Sequence, residues 1–244
     1  MVWRALLALY VAVATFGAFW APDAKGFQSP ALARIIFIHL PCAFLTAGLI
    51  FVGSYYAVRF LRGGDPEFEA KSVACNELGF LFACLTMATG ILFSQVQWGT
   101  WWQWDPRQTS FLILLLLYLA YFALRGGYAD SERRATFSSA YSAALSLPAV
   151  FLIFIFPRLP HIAQASFHPS QTIQRAEFDT AYWSVVLANF VGLFFVMMWT
   201  LRLKLRASAL ERAIDQAYGN DQAPGGDSAA PRVVRAVRLP KQGG

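Results

Sequence analysis

Six long apolar runs dominate this sequence of 244 residues, and they constrain the fold more than any other feature. Each run has roughly 17 to 25 residues, the length of an α-helix that crosses a hydrocarbon core about 30 Å thick. A hydrophobic content of 57% and a mean hydropathy of +0.45 are high for a soluble chain. We therefore expect an all-α polytopic membrane protein with six transmembrane helices. The predicted spans are Val2–Trp20, Ile35–Val58, Leu78–Val96, Pro106–Leu124, Ala140–Phe156 and Ala181–Leu201.

The net charge of +6 is distributed unevenly among the connections between these spans. The N-terminus, the second and fourth connections and the C-terminal tail together hold 15 Lys and Arg residues, whereas the other three connections hold five. The positive-inside rule then places both termini in the cytoplasm and the loops near residues 21–34, 97–105 and 157–180 outside. Basic residues interleaved with aromatics on a polar domain do not occur, so we expect membrane lipid and no nucleic acid as a partner.

The two ends of the chain carry different signals. The first run, with Arg4 ahead of it, also resembles a signal peptide, but no small-x-small site follows cleanly in "FWAPDAKG", so we expect it to remain as a helix. Beyond a transmembrane domain at residues 1–206, residues 207–244 are polar and predict a cytoplasmic tail that is mostly disordered after about residue 218.

The three cysteines form no CxxC pair, and we expect them to be packing residues. They are Cys42, Cys75 and Cys84.

All three histidines fall at or near the predicted outer face. His39 lies about five residues, or roughly 7 Å, into the second span. An imidazole at that depth is either a ligand or hydrogen-bonded to a neighbouring helix. Pro41 frees a carbonyl on the same helix and is expected to open space near His39. His161 and His168 share the long last outer loop, and spacing alone does not distinguish which of them is functional and which is an ordinary solvated histidine.

The stretch "WGTWWQWDPRQT" concentrates half of the eight tryptophans in seven positions. An aromatic belt at the membrane interface is one interpretation, although a belt spreads over many helix ends. If the stretch is helical, Trp98, Trp101 and Trp102 share one face and form a platform for a flat apolar ligand. Asp105 followed by Pro106 predicts the start of the fourth helix. The four tryptophans are Trp98, Trp101, Trp102 and Trp104.

Haem would account for these features together. Indole rings would lie along the porphyrin, Arg107 would be available to a propionate, and two histidines would ligate the iron. A pocket with apolar walls and a few polar groups fits other ligands as well, so the residues alone leave this choice open.

The pattern W-G-x-W-W-x-W-D-x-R-x-T resembles the tryptophan-rich WWD signature of haem-handling membrane proteins of cytochrome c maturation. Six spans, with the motif between the third and the fourth, resemble the CcmC family in particular. The stretch "RIIFIHLP" is similar to the family's context for one haem-ligating histidine, which implies His39 as an axial ligand. "FHPSQT" is similar to the other context and implies His168 as the second ligand, although Phe167 stands where leucine is usual. His161 has no counterpart in the family pattern. The residues that match the motif in register are Trp98, Gly99, Trp101, Trp102, Trp104, Asp105, Arg107 and Thr109.

The resemblance implies a haem transfer factor rather than a conventional enzyme. Haem b would be held at the outer face of the bacterial inner membrane, facing the periplasm, and passed to the haem chaperone CcmE. The ABC-type subunits CcmA and CcmB would act with it, and CcmD is a further candidate partner. An alternative is a permease subunit for haem or another solute, but no charged residue in mid-membrane marks a transport site. A b-type cytochrome would need histidines at two depths, and none lies on the inner side.

Overall fold

The computed structural model describes residues 2–24, 27–168 and 180–219. Within those residues the secondary structure is helical throughout and contains no strand. The described residues form seven α-helices, some of them extended or preceded by turns of other helix types. The α-helices are α1 (Val2–Trp20), α2 (Ile36–Gly63), α3 (Pro66–Trp98), α4 (Pro106–Gly126), α5 (Ser131–Val150), α6 (Pro160–Ala165) and α7 (Thr180–Gly219). A 3-10 turn, Leu32–Ile35, leads into α2, while a π turn, Phe151–Ile155, and a second 3-10 turn, Phe156–Arg158, extend α5.

Six of these helical segments are long and apolar enough to cross a membrane, which confirms the predicted number of spans and the all-α class. They are Val2–Trp20, Leu32–Gly63, Pro66–Trp98, Pro106–Gly126, Ser131–Arg158 and Thr180–Ala217. The apolar runs predicted from Leu78 and Ala140 lie within longer helices, which begin at Pro66 and Ser131. Helix α3 has 33 residues, or about 50 Å at 1.5 Å per residue, and therefore continues well beyond a hydrocarbon core of about 30 Å.

Aspartate caps determine where three of the long helices begin. Asp65 and Asp105 each precede a proline at the first helical position, and each accepts a hydrogen bond from the backbone N–H two residues later at 2.8 Å. Asp130 does the same for α5 through the N–H of Arg133 at 2.7 Å. A carboxylate at this position satisfies an otherwise unpaired N–H group and favours the positive end of the helix dipole. Gly64, with φ 70°, ends α2 in the left-handed conformation just before Asp65.

Helix α2 lies at the centre of the bundle and packs along α3 and against α5. Small and polar residues permit close approach: Gly53 of α2 faces Cys75 and Asn76 of α3, and the Ser54 hydroxyl donates to the Ser142 carbonyl of α5 at 2.7 Å. Asn76 also donates to the Ser142 hydroxyl at 2.7 Å. Such interhelical hydrogen bonds and small residues are typical of packing in lipid, where apolar burial alone does not drive association.

The loops at one end of the bundle are bound to one another; we call this end the tryptophan end, because residues 98–105 lie there. Gln97 accepts from the Ser29 backbone N–H at 3.1 Å and donates to the Ser29 carbonyl at 2.9 Å. Tyr182, in the first turn of α7, donates to the Ala33 carbonyl at 3.0 Å. Arg34 forms an ion pair with Asp23 at 2.9 Å. These bonds join the connection after α1 and the 3-10 turn before α2 to the last turn of α3 and the first turn of α7.

Residues 1–206 form one compact unit and residues 207–244 form a second. The described part of the second unit is helical to Gly219. The tail predicted to be disordered therefore lies mainly outside the described residues. Among the cysteines, Cys42 of α2 and Cys75 of α3 are buried in the bundle core, as expected for packing residues.

Candidate functional site

The tryptophan loop, residues 99–105, is an ordered irregular segment between α3 and α4. Gly99, with φ 75°, donates its backbone N–H to the Gln95 carbonyl at 3.0 Å and so ends α3 at Trp98. Trp104 also has a positive φ, 55°, a conformation that costs an ordinary L-residue about 1–2 kcal/mol. Its ring meets that of Trp102 edge to face at 5.6 Å. A strained, aromatic loop of this kind is typical of a binding site and not of a simple connection.

Asp105 uses its two carboxylate oxygens for two different tasks. Oδ1 accepts from the Arg107 backbone N–H at 2.8 Å and begins α4. Oδ2 accepts from the Ser166 hydroxyl at 2.8 Å and from the Phe167 backbone N–H at 2.7 Å. The residue is 5% exposed, and a buried carboxylate needs this number of donors. Asp105 thus joins the tryptophan loop to the segment that carries His168.

His39 lies near the start of α2, with its ring against α3. Its Nδ1 is 3.0 Å from the Thr89 hydroxyl oxygen. That hydroxyl has one hydrogen and donates it within its own helix, to the Leu85 carbonyl at 2.7 Å. Thr89 therefore accepts from His39, which puts the imidazole proton on Nδ1 and leaves the Nε2 lone pair for a ligand. Space for the ring comes from Gly90, where an added Cβ would stand 3.1 Å from His39 Cε1.

His168 lies two residues after Ser166, whose hydroxyl accepts the His168 backbone N–H at 3.2 Å. Burial among protein atoms lowers the pKa of its imidazole well below the usual 6.5, and the nearby Arg107 and His39 lower it further. Part of the residue's surface nevertheless remains exposed. The imidazole is therefore neutral at pH 7 and lies within electrostatic range of both other groups. The structure brings together His39, Arg107 and His168, which come from two helices and a loop.

An open groove of about 550 Å³ lies at the tryptophan end. Its lining combines aromatic rings with amide and hydroxyl groups: Gln28, Trp98, Thr100, Trp102, Gln103 and Phe167. Trp98 is held in place by Phe93 at 5.5 Å and by Phe167 at 6.2 Å between ring centroids.

The family model described as Heme exporter protein C (CcmC) matches residues 1–219 of this chain. The chain belongs to the CcmC family. Heme exporter protein C of Rhodobacter capsulatus is 35% identical over 109 residues, which is 45% of this chain and 44% of the relative. The Bradyrhizobium diazoefficiens protein of the same name is 33% identical over 144 residues, 58% of this chain and 54% of the relative. The Escherichia coli K12 protein is 32% identical over 124 residues, 49% and 50% respectively. The chain thus spans about half the length of the curated relatives it matches.

The signature of the CcmC family divides here between the groove and the exposed surface. Trp98 and Trp102 line the groove, whereas Trp101 and Trp104 are 57% and 72% exposed and lie outside its lining. The helical arrangement considered for this stretch, with Trp98, Trp101 and Trp102 on one face, is wrong, because Gly99 ends α3 before Trp101. Asp105 begins α4 at Pro106, as predicted.

The histidines occupy three different environments. His39 packs from α2 against α3, His168 interacts electrostatically with Arg107, and His161 is exposed on the short helix α6. In the described residues, His, Cys, Asp and Glu form no cluster of three or more that could hold a bare metal ion. A haem iron needs only two axial ligands from the protein, because the porphyrin supplies the other four. Thr172 of the "FHPSQT" context lies outside the described residues.

Several residues of this site were not predicted from the sequence. Thr89 lies 50 residues from His39 along the chain, and Ser166 lies 61 residues from Asp105. Gln28 lines the groove without any motif around it, and Gln103 occupies an unspecified position within the tryptophan signature. A signal did exist for the end of α3, since the glycine in "WGTWW" is typical of a residue that follows a helix.

Proposed function

We propose that this chain binds haem b at the tryptophan end and passes it to the haem chaperone CcmE during cytochrome c maturation. His39 and His168 are the two axial ligands to the iron. The observation that carries the proposal is that His168, although 129 positions from His39 in the sequence, interacts electrostatically with both His39 and Arg107. Membership of a family described as Heme exporter protein C supports haem as the cargo.

The residues at this site fit haem in their chemistry. Thr89 keeps Nε2 of His39 unprotonated, and burial keeps His168 neutral, so both imidazoles offer a lone pair at pH 7. The guanidinium of Arg107 fits a propionate, and the aromatic groove fits a macrocycle. Two imidazole ligands would keep the iron six-coordinate and shield it from oxygen until the handover.

The four tryptophans have two roles in this proposal. Trp98 and Trp102 face haem from the groove, while the exposed Trp101 and Trp104 contact both haem and the docked chaperone. The site faces the periplasm from the inner membrane, because the positive-inside rule places the tryptophan loop outside. CcmA and CcmB act as the ABC-type partners, and CcmD is a further partner.

Replacement of each histidine tests the axial assignment. We expect His39→Ala and His168→Ala to shift the Soret band of purified, haem-loaded protein from the six-coordinate low-spin position to a five-coordinate one. His161→Ala is the matched control, since His161 is exposed on α6, and it should keep the wild-type spectrum. Unchanged spectra in the first two variants would overturn the assignment.

The chaperone part of the proposal needs a separate assay. Purified CcmE should co-purify with the wild-type protein and receive haem from it, whereas replacement of Trp101 and Trp102 by alanine should weaken both. Trp20→Ala removes an exposed indole from the end of α1, outside the tryptophan signature, and is the control. If transfer survives the double replacement at the wild-type rate, the tryptophans form only an interfacial belt.

A further inference from the structure

We infer that Asp105 is the residue that positions His168 for ligation; this inference rests on the proposed function. The aspartate of the tryptophan signature has an evident structural role as the cap of α4, and that role uses only Oδ1. The second oxygen points elsewhere. Oδ2 receives one hydrogen bond from a side chain and one from the backbone of the residue just before His168.

The three hydrogen bonds around this carboxylate fix the histidine segment at close range. Ser166 donates to Oδ2 at 2.8 Å and, through the same hydroxyl oxygen, accepts from the His168 backbone N–H at 3.2 Å. Phe167 donates directly to Oδ2 at 2.7 Å. Ser166 and Phe167, together with the backbone N–H of His168, are thereby connected to one buried carboxylate. Hydrogen bonds to a buried charged acceptor are among the strongest in proteins.

His168 belongs to a segment whose backbone is not part of a helix or a strand. Helix α6 ends at Ala165, and the three residues that follow it contain no regular secondary structure. His39, in contrast, is held within a long helix and by Thr89. A loop histidine needs an external anchor to present its imidazole in one orientation, and outer partners of metal-ligating histidines contribute about 10- to 100-fold to metal affinity.

The substitution Asp105→Asn separates the two roles of Asp105, which are to cap α4 and to hold the segment that carries His168. An asparagine oxygen caps a helix about as well as an aspartate oxygen, so α4 should still begin at Pro106. The amide NH₂ group then faces Ser166 and Phe167, and the Phe167 N–H meets a second donor where it had an acceptor. Asp105→Asn should therefore release the histidine segment and leave the helix intact.

The chain provides a closely matched control for this substitution. Asp65 also precedes a proline, begins α3 and accepts from the N–H two residues later at the same 2.8 Å. Its side chain is exposed and makes this capping bond at the start of α3, far along the chain from His168. Asp65→Asn therefore reproduces the change at a helix cap without the change at a histidine segment.

The test combines two measurements on the full chain. In haem-free protein, amide hydrogen exchange of peptides covering residues 159–168 should accelerate roughly tenfold to hundredfold in Asp105→Asn, the effect of losing a hydrogen bond to a charged acceptor. In haem-loaded protein, the same variant should bind haem about tenfold to hundredfold more weakly and show a high-spin fraction like that of His168→Ala. Asp65→Asn should match the wild type in both measurements.

The outcomes distinguish this inference from the proposed function. If His168→Ala leaves the haem spectrum unchanged, the axial assignment fails, and the inference fails with it. If His168→Ala changes the spectrum but Asp105→Asn does not, despite faster exchange of residues 159–168, His168 is a ligand that needs no such anchor, and this inference alone is overturned. If exchange does not accelerate, Asp105 does not hold the segment, and the inference is likewise overturned.

Discussion

Replacement of Thr89 by valine isolates the hydrogen bond that orients His39. Valine keeps the shape of the threonine side chain but removes the oxygen that accepts the Nδ1 proton at 3.0 Å. A buried N–H group without an acceptor costs about 1–3 kcal/mol, equivalent to roughly 5- to 150-fold in an equilibrium constant. The backbone of Thr86 also hydrogen-bonds the imidazole. Part of the orientation of the His39 ring therefore survives in Thr89→Val. We expect the haem affinity to fall about tenfold, near the lower end of this range.

The assay is titration of haem into the purified apoprotein, followed in the Soret band, together with the midpoint potential of the bound iron. Loss of the Thr89 acceptor makes His39 a poorer electron donor, so the potential should rise in Thr89→Val. Thr89→Ser keeps the hydroxyl and should keep both the haem affinity and the midpoint potential at their wild-type values. Thr46→Val removes a buried hydroxyl that donates only to the Cys42 carbonyl within α2 at 2.9 Å, and it is the control for threonine loss in the bundle. A wild-type dissociation constant and potential in Thr89→Val would refute this account of His39.

Two further predictions concern stability. Gly79→Ala should destabilise the protein by about 1–3 kcal/mol, because a Cβ there would overlap the hydroxyl of the buried Tyr118. Gly48→Ala is the control and should not destabilise the protein, because a Cβ at that position meets open space. Thermal unfolding in detergent measures the stability of both variants. The apoprotein should also lose stability as the pH falls below about 6.5, because the unfolded chain binds a proton at His168 at a higher pH than the folded chain does. The free energy of unfolding should fall by up to about 1.4 kcal/mol per pH unit. His168→Gln removes this group, so an identical pH profile in that variant would contradict the assigned burial of His168.

The number of membrane spans and one helix start were predictable because hydropathy and capping are local signals. Six apolar runs predicted six spans, and the Asp105–Pro106 pair predicted the start of α4. The same reasoning did not locate the start of α3, because a hydropathy window detects the part of a helix that lies in lipid and not the point where its hydrogen bonding begins. The Asp65–Pro66 pair, in the stretch interpreted as a loop, carried the missing signal.

The site was only partly predictable because its decisive contacts join distant positions. His39 and His168 were found through a pattern similar to that of a known family, whereas Thr89 and Ser166 occur in no pattern and are recognised only through tertiary contacts. Spacing within a helix predicts which residues share a face, but it does not predict which residue of another helix lies opposite. The tryptophan loop shows the same limit, since Gly99 ends α3 and makes the helical spacing of the indoles irrelevant.

The two proposed ligands are anchored in different ways, and this difference bears on how a bound haem would leave. His39 is part of a long helix, and its ring is enclosed by Thr89 and Gly90, so its movement requires a change in the packing of α2 against α3. His168 lies on an irregular segment, and the hydrogen bonds of that segment to Asp105 connect it to the exposed tryptophan loop. Breaking two or three hydrogen bonds costs far less than repacking two spanning helices. If His39 and His168 hold haem as proposed, a handover that exchanges one ligand for a group on the chaperone would release His168 first, and His39 would retain haem until transfer is complete.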